Sequence, residues 1–394
     1  MSALEGGFLR PAVSSPAALV LLVCTLFVTA TLARRDWDVS RFILAGDEFV
    51  QRDQTPSPIT VLPHSPGYDG QMYYRLALDP FTARETAYGV TLDHPAYRVQ
   101  RIGYPLIVWL LSLGQPALVP AMLVVSNLLG IGLIAYLAGR IAGELDCPEW
   151  TGVLVVYPGF FVTLSRDTTE ITATAFALAA VLCLLRRREW IGVLLACCAV
   201  LCRETTLLYM SGFGLVALWR CWREGRYLSG DWLKFTLPLV LFVAWQQFLT
   251  AKLGVSPGSG AEQNVSWPFL GILTMVRDAL TVHPLFFPKL WLDLLARLIA
   301  VGCGAVLLVF LFQVAAALRP STAPLGLKIS WALYACLFVC LSPTVWANPL
   351  DFLRPTADVY TTGMIVLIGA RFTRSAAQER APDLTCLASA GEHD

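Results

Sequence analysis

Long apolar runs recur along nearly the whole chain, and they constrain its fold more than any other feature. A helix needs roughly 17 to 25 mostly apolar residues to cross the hydrocarbon core of a bilayer. The candidate runs are 17–33, 116–137, 152–165, 168–185, 190–201, 206–219, 233–250, 290–318, 329–346 and 356–372. The sequence therefore predicts an all-α, polytopic transmembrane protein with about ten spans.

The composition agrees with this class of protein. Hydrophobic residues make up 56% of the chain and charged residues 14%, whereas charged residues make up roughly a quarter of an ordinary soluble domain. The formal net charge of +1 supplies no basic face for a nucleic-acid partner. Most of the 11 cysteines lie inside apolar runs without metal-ligand spacing, which is typical of small buried hydrophobes.

Basic residues gather in alternate connections between the runs, and the positive-inside rule assigns those connections to the cytoplasm. Arg140, the Arg186-Arg187-Arg188 triplet and Arg220 are examples. The prediction is a cytoplasmic N-terminus and a multi-pass integral membrane protein. Its segments are the N-terminus at 1–16, a first transmembrane helix at 17–33, an outer loop at 34–101, a multi-span domain at 102–372 and a cytoplasmic tail, expected to be disordered, at 373–394.

The apolar segment 102–113 is ambiguous in this scheme. It fits a helix at the membrane interface or an extension of the second span. A separate full span here would invert everything after it and place the Arg186-Arg187-Arg188 triplet outside. We therefore do not count it as a span.

Ionisable residues cluster in the connections predicted to lie on the outer face. A transporter is expected to carry such groups at mid-membrane depth, but here they lie at one surface. They come from four separate connections: Asp69, His94, Arg98 and Arg101; Arg166, Asp167 and Glu170; Arg203 and Glu204; Asp351 and Arg354. This layout predicts a site that handles a charged group at the membrane boundary.

These residue types suit one chemistry in particular. The planar guanidinium of arginine donates two parallel hydrogen bonds to paired phosphate oxygens. A neighbouring carboxylate can take the proton of an attacking hydroxyl as a general base. Together they fit the transfer of a sugar from a lipid-linked phosphate donor.

The motif YDGQMYYRLA at 68–77 resembles the first-loop motif of integral-membrane glycosyltransferases of the GT-C superfamily. It is similar to the Asp-Gly motif of the mannosyltransferases that build glycosylphosphatidylinositol anchors. It is more similar to bacterial multi-span proteins assigned to cell-surface glycopolymer formation, which carry GYDGQ-YY followed by HPAYR-QR and YP, as found here at 94–98, 100–101 and 104–105. Tyr73 stands where the anchor enzymes have a histidine.

Two later segments extend the resemblance over roughly the first 220 residues. TLSRDTTEITATAF, around Glu170, resembles the acidic opening of the fourth span in the anchor enzymes, and LCRETTLL, around Arg203, resembles their arginine-containing loop. The resemblance implies a glycosyltransferase of a bacterial inner (plasma) membrane. Its partners would be a polyprenyl-phosphate-linked sugar donor, a cell-surface glycan or lipid acceptor, and membrane lipids.

The resemblance also implies roles for particular residues. Asp69 and Glu170 are the predicted catalytic residues. The predicted substrate-binding residues are Gln71, Tyr73, His94, Arg98, Arg101, Arg166, Asp167, Arg203 and Arg354.

Several structural alternatives stay open at this point. Asp69 can instead cap the helix that follows it, Glu170 can cap the fourth span, and Arg203 can pair with Glu204 or Asp167. Asp36 and Asp38, directly after the first span, are the alternative catalytic acids. The alternative interpretation is that both carboxylates are solvated charges at the membrane surface, beside the interfacial anchor Trp37.

No cofactor is firmly implied by the sequence. Asp36-Trp37-Asp38 has the spacing with which nucleotide-sugar enzymes chelate a divalent cation, but arginine alone can neutralise a polyprenyl monophosphate leaving group. A divalent cation therefore stays an open alternative, with no metal ligand assigned. The two other functional hypotheses are a transporter or flippase for lipid-linked sugars, which needs a polar path across the membrane, and a non-catalytic scaffold of a glycan-assembly complex.

Overall fold

The computed structural model describes residues 16–82, 84–226, 230–281, 290–347 and 351–379. Helices dominate these residues, as predicted. They are α1 Pro16–Ala33, α2 Gly70–Leu78, α3 Pro95–Val99, α4 Gly103–Leu111, α5 Val119–Glu144, α6 Gly159–Ser165, α7 Glu170–Leu185, α8 Glu189–Cys202, α9 Leu207–Arg223, α10 Leu237–Leu253, α11 Leu270–Thr281, α12 Leu290–Ala317, α13 Leu325–Val339, α14 Pro343–Ala347 and α15 Ala357–Glu379.

Three helical stretches among the described residues are long and apolar enough to cross a membrane: Pro16–Ala33, Pro116–Glu144 and Leu233–Leu253. Leu22 on α1 and Leu239 on α10 are more than half exposed, so these helices present apolar surface that suits a lipid environment. The count of about ten spans stays a prediction.

Other apolar helices are shorter than a bilayer core. The 16 residues of α7 extend about 24 Å, against roughly 30 Å of hydrocarbon. The run 152–165 is not one helix, because Pro158 separates a 3₁₀ helix at Glu149–Val155 from α6. The run 329–346 is interrupted in the same way, since α13 ends at Val339 and α14 begins at Pro343.

Residues 34–101, the predicted outer loop, fold into a small cap of helices and short strands. It contains α2 and α3 together with two short sheets, the parallel pair β1 Ala45–Gly46 and β2 Val61–Leu62, and the antiparallel pair β3 Thr86–Ala87 and β4 Val90–Thr91. The segment 102–113 forms α4, which has only nine residues and packs against α2, α5 and α8. Leu113 and Gly114 adopt positive φ angles and separate α4 from α5, so this segment is not an extra span.

The packing of the helices brings the polar connections together beneath the cap. Helix α7 packs between α5 and α8, α9 packs on α13, and α13 packs on α15. The residues just before α7, α9 and α15 therefore converge. At the C-terminus, α15 continues to Glu379, beyond the predicted end at 372. Residues 1–15 of the predicted N-terminal segment and 380–394 of the predicted tail lie outside the described residues.

Candidate functional site

Asp69 lies at the N-cap position of α2, but its side chain makes no capping hydrogen bond. One carboxylate oxygen lies 2.9 Å from Nη1 of Arg98, and the other accepts a 3.0 Å hydrogen bond from Nη2 of Arg354. The side chain is 25% exposed. The structure therefore favours an ionic role for Asp69 over the capping role.

Gly70 explains how Asp69 reaches this position. A Cβ at residue 70 would lie 2.4 Å from the backbone oxygen of Arg166 and 2.7 Å from that of Ile43. Only glycine allows α2 to begin so close to the turn between α6 and α7. Gly70 thus places the Asp69 carboxylate beside the turn that connects α6 and α7.

Arg354 connects Asp69 to the predicted second acid. Its Nη2 also donates to Oε1 of Glu170 at 2.9 Å, and its Nη1 donates to the hydroxyl of Tyr68 at 2.6 Å. Glu170 is the first residue of α7, and its side chain is only 2% exposed. Close packing sets this arrangement, because Gly159 at the start of α6 lies directly against the backbone of Leu353.

Arg98 is oriented by a residue that we did not predict. Asp93 accepts two hydrogen bonds from Arg98, at 2.8 Å from Nε and 2.6 Å from Nη2. This bidentate geometry is the strong form of the arginine–carboxylate pair. Burial alone would raise the pKa of Asp93, but the contacts with Arg98 outweigh it and hold that pKa below its ordinary value.

Arg203 approaches Glu170 from the opposite side. Its Nη1 lies 3.4 Å from Glu170, and its Nε lies 4.0 Å from Asp358 on α15. The guanidinium is buried, and its Nε and Nη1 make no hydrogen bond to any residue that the structure describes. The expected partners, Glu204 and Asp167, are not its ion-pair partners. Arg203 therefore keeps donors that an oxyanion can use.

Arg101 completes the cluster beside the cap. It donates to Glu204 at 2.9 and 2.5 Å and to the hydroxyl of Tyr97 at 2.8 Å. It also donates to the hydroxyl of Tyr73 at 3.4 Å. Tyr73 is fully buried, so it lines the interior of the cluster.

The ion cluster is defined by four arginines and the carboxylates that contact them: Arg98, Arg101, Arg203, Arg354, Asp69, Asp93, Glu170, Glu204 and Asp358. Its members come from the cap and from the beginnings or ends of separate helices. Burial alone would raise the pKa of Asp69, but Arg98 and Arg354 outweigh it and hold that pKa at about 2. Asp69 is thus ionised at neutral pH.

Other predicted binding residues lie at the edge of the cluster or outside it. The guanidinium of Arg166 lies 4.3 Å from the ring centre of Tyr68, at the edge. Gln71 accepts a hydrogen bond from the backbone N–H of Gly46 and donates one to the backbone oxygen of Pro66. It therefore stabilises the cap. Asp167 is completely buried, and its burial raises the pKa of its carboxyl well above the ordinary range.

The alternative acids are placed differently from Asp69. Asp38 accepts hydrogen bonds from the backbone and hydroxyl of Ser40 and from the hydroxyl of Thr60. It therefore caps the 3₁₀ helix Val39–Phe42. Asp36 is exposed and adopts a positive φ of 54°. Neither is an ion-pair partner of the cluster arginines.

Two neighbouring cavities lie between the cap and α10. One, of about 350 Å³, is largely apolar; its wall includes Phe81, Val99, Ile102, Trp245, Phe248 and Lys252. The other, of about 380 Å³, is more polar; its wall includes Glu85, His94, Tyr97 and Ser259. Leu253 lines both cavities. His94 is exposed here, and Tyr97 links this second cavity to Arg101.

Among the residues that the structure describes, no group of three or more His, Cys, Asp or Glu side chains is arranged to hold a metal ion. Comparisons with known proteins add no assignment: no family model, no curated protein and no solved structure matches this chain.

Proposed function

We propose that this protein is a membrane glycosyltransferase. It would move a sugar from a polyprenyl-phosphate donor to a cell-surface glycan or lipid acceptor at the outer face of a bacterial plasma membrane. The observation that carries the proposal is the convergence of Arg98, Arg354 and Arg203 around Asp69 and Glu170. Asp69 is the more exposed of the two acids, which suits contact with substrate.

The arginines are assigned to the donor phosphate. Arg98 and Arg354 already face the paired oxygens of a carboxylate, and a phosphate presents oxygens with similar spacing. Arg203 adds buried donors without hydrogen-bond partners among the described residues. As the bond to the leaving phosphate breaks, these guanidiniums stabilise the negative charge that accumulates on its oxygens.

Asp69 is assigned to the acceptor. In the proposed reaction the acceptor hydroxyl oxygen forms a bond to the anomeric carbon of the donor sugar, and the bond between that carbon and the phosphate oxygen breaks. Polyprenyl phosphate leaves with the electron pair, and the hydroxyl proton passes to the Asp69 carboxylate. Glu170 holds Arg354 and Arg203 in position and helps to orient the acceptor.

The two cavities are assigned to the two substrates. The apolar cavity would receive the first isoprene units of the donor, since Val99, next to Arg98 in the chain, lies in its wall. The neighbouring cavity would receive the acceptor, since its tyrosine, histidine and carboxylate offer hydrogen bonds to sugar hydroxyls. Trp245 ties the apolar cavity to the cap by donating to the backbone oxygen of Gln100 at 3.1 Å.

Purified protein tests this proposal with a set of polyprenyl-phosphate sugars and release of polyprenyl phosphate as the signal. We expect release by the wild type that depends on added acceptor and is lost in Asp69→Asn. Asp47→Asn is the matched control, because Asp47 is an exposed acid of the same loop whose carboxylate accepts hydrogen bonds from the backbone N–H groups of His64 and Ser65. Equal release by the wild type and Asp69→Asn would contradict the proposal.

A further inference from the structure

The Asp69 carboxylate occupies the space between two guanidiniums. Each of its oxygens faces a different arginine, with Arg98 2.9 Å from Oδ1 and Arg354 3.0 Å from Oδ2. A carboxylate and a phosphate are alternative ligands for such a pair, because both offer paired anionic oxygens to parallel N–H donors. A phosphate at this point must therefore compete with Asp69.

The two arginines do not depend on Asp69 for their positions. Asp93 holds Arg98 through two hydrogen bonds, at 2.8 and 2.6 Å. Glu170 and the hydroxyl of Tyr68 hold Arg354 at 2.9 and 2.6 Å. If Asp69 moves away, both guanidiniums stay anchored and face the vacated space.

Asp69 is also the member of this group that has room to move. Its side chain is 25% exposed, against 2% for Glu170. It makes no capping hydrogen bond that would hold its side chain to α2.

We propose that Asp69 occupies the position of the donor phosphate between Arg98 and Arg354, and that the phosphate of a prenyl-phosphate donor displaces it. The inference rests on the proposed function, which assigns Arg98 and Arg354 to phosphate. No covalent bond changes in this step. Once displaced, the carboxylate loses two cationic contacts and gains an anionic neighbour, so its affinity for a proton rises. Donor binding thus converts Asp69 from a weak base into one able to accept the acceptor's proton.

Binding measurements on the full-length protein in detergent test this exchange without any catalysis. The two probes are farnesyl phosphate and inorganic phosphate, whose comparison separates a prenyl-lipid headgroup from free phosphate. If Asp69 competes with the ligand, Asp69→Asn binds farnesyl phosphate at least about tenfold more tightly than the wild type, since a charged hydrogen-bonding competitor has been removed. Asp69→Ser is measured beside it, so that poor folding of one variant does not decide the result.

Asp93→Asn is the matched control. It makes the same change of charge beside the same Arg98, but on the side away from Asp69, and we expect no tightening. The exchange is overturned if Asp69→Asn binds farnesyl phosphate no more tightly than the wild type, if Asp93→Asn tightens binding equally, or if no variant binds either probe. Equal affinity for the two probes would overturn the assignment to a prenyl lipid.

Failure of the proposed function is distinguishable from failure of the exchange. Tighter binding by Asp69→Asn without any sugar transfer by the wild type would leave the exchange standing and remove the transferase proposal. Sugar transfer that depends on Asp69, with unchanged affinity of Asp69→Asn for farnesyl phosphate, would support the transferase proposal and remove the exchange.

Discussion

Asp69 and Glu170 share one nitrogen of Arg354. Nη2 of that arginine donates to Asp69 at 3.0 Å and to Glu170 at 2.9 Å, although the two acids belong to the cap and to the start of α7. This contact joins the cap to the packed helices. A partly exposed carboxylate, Asp69, and an almost fully buried one, Glu170, therefore meet at the same arginine nitrogen.

Arg354→Lys is expected to lower transfer by about tenfold to a hundredfold, because a lysine ammonium cannot reproduce the planar fork. Arg354→Gln should lower it further. Initial rates at saturating acceptor, normalised to purified protein, measure the effect. A lysine variant with the wild-type rate would show that charge alone is required at this position.

Asp93→Asn is expected to raise the KM for the donor by about tenfold with a smaller change in kcat, because Arg98 loses the partner that orients it. Asp53→Asn, an exposed acid of the same loop, is the matched control and should change neither constant. An effect confined to kcat would argue against Asp93 as a positioning residue for donor binding.

Gly70→Ala is expected to destabilise the protein by about 1–3 kcal/mol, because the new methyl group would overlap the backbone oxygens of Arg166 and Ile43. Gly258→Ala is the control, since a Cβ there meets only the Ser256 hydroxyl, at 3.6 Å. Thermal unfolding in detergent compares the two. Equal stability of both variants would contradict the close approach of α2 to the α6–α7 turn.

Trp245→Ala is expected to raise the KM for a long-chain polyprenyl donor more than for a short-chain analogue, because it removes an aromatic wall of the apolar cavity. Trp267→Ala is the control, because Trp267 is 83% exposed and does not line that cavity. Donor titrations at fixed acceptor measure both variants. If the KM of Trp245→Ala relative to the wild type is the same for long-chain and short-chain donors, the cavity does not receive the lipid.

The stability that Asp69 contributes should depend on pH in a defined window. Its pKa falls from an ordinary 3.8 to about 2 in the folded protein. A lowered pKa stabilises the fold in full above the ordinary value of 3.8, and that contribution is lost as the pH falls through the folded value of about 2. The shift corresponds to about 2 kcal/mol. The difference in unfolding midpoint between the wild type and Asp69→Asn should be constant from pH 7 to 5, shrink as the pH falls through about 2 and be lost below it. A difference as large at pH 2 as at pH 7 would contradict this.

The convergence of the site was predictable from sequence, because Asp69, Arg98, Glu170, Arg203 and Arg354 all lie in connections assigned to one face. The partners that orient them were harder to predict. Asp358 contacts Arg203 only because α15 packs on α13 and α13 packs on α9, and spacing along the chain carries no signal for such a contact.

Local sequence patterns do not determine the contacts of side chains that have more than one available partner. Gln71 lies in the YDGQMYYRLA motif, yet its side-chain amide is used within the cap. Its oxygen accepts a hydrogen bond from the Gly46 N–H, and its nitrogen donates to the Pro66 carbonyl. Arg203 is adjacent to Glu204, but Glu204 pairs with Arg101. The short strands of the cap contain only two residues each, too few for an alternating pattern to be recognised.

The decisive measurement for Asp69 as the base is surface glycan output in cells whose only copy of the protein carries Asp69→Asn, with membrane abundance of the protein measured alongside. The substitution keeps the size of the side chain and removes the base. We expect the glycan produced per unit of membrane protein to be lost in Asp69→Asn and to be unchanged in Asp47→Asn. Glycan that persists in Asp69→Asn, per unit of membrane protein, would contradict the role of Asp69 as the base and direct attention to Asp36, Asp38 and a transport function.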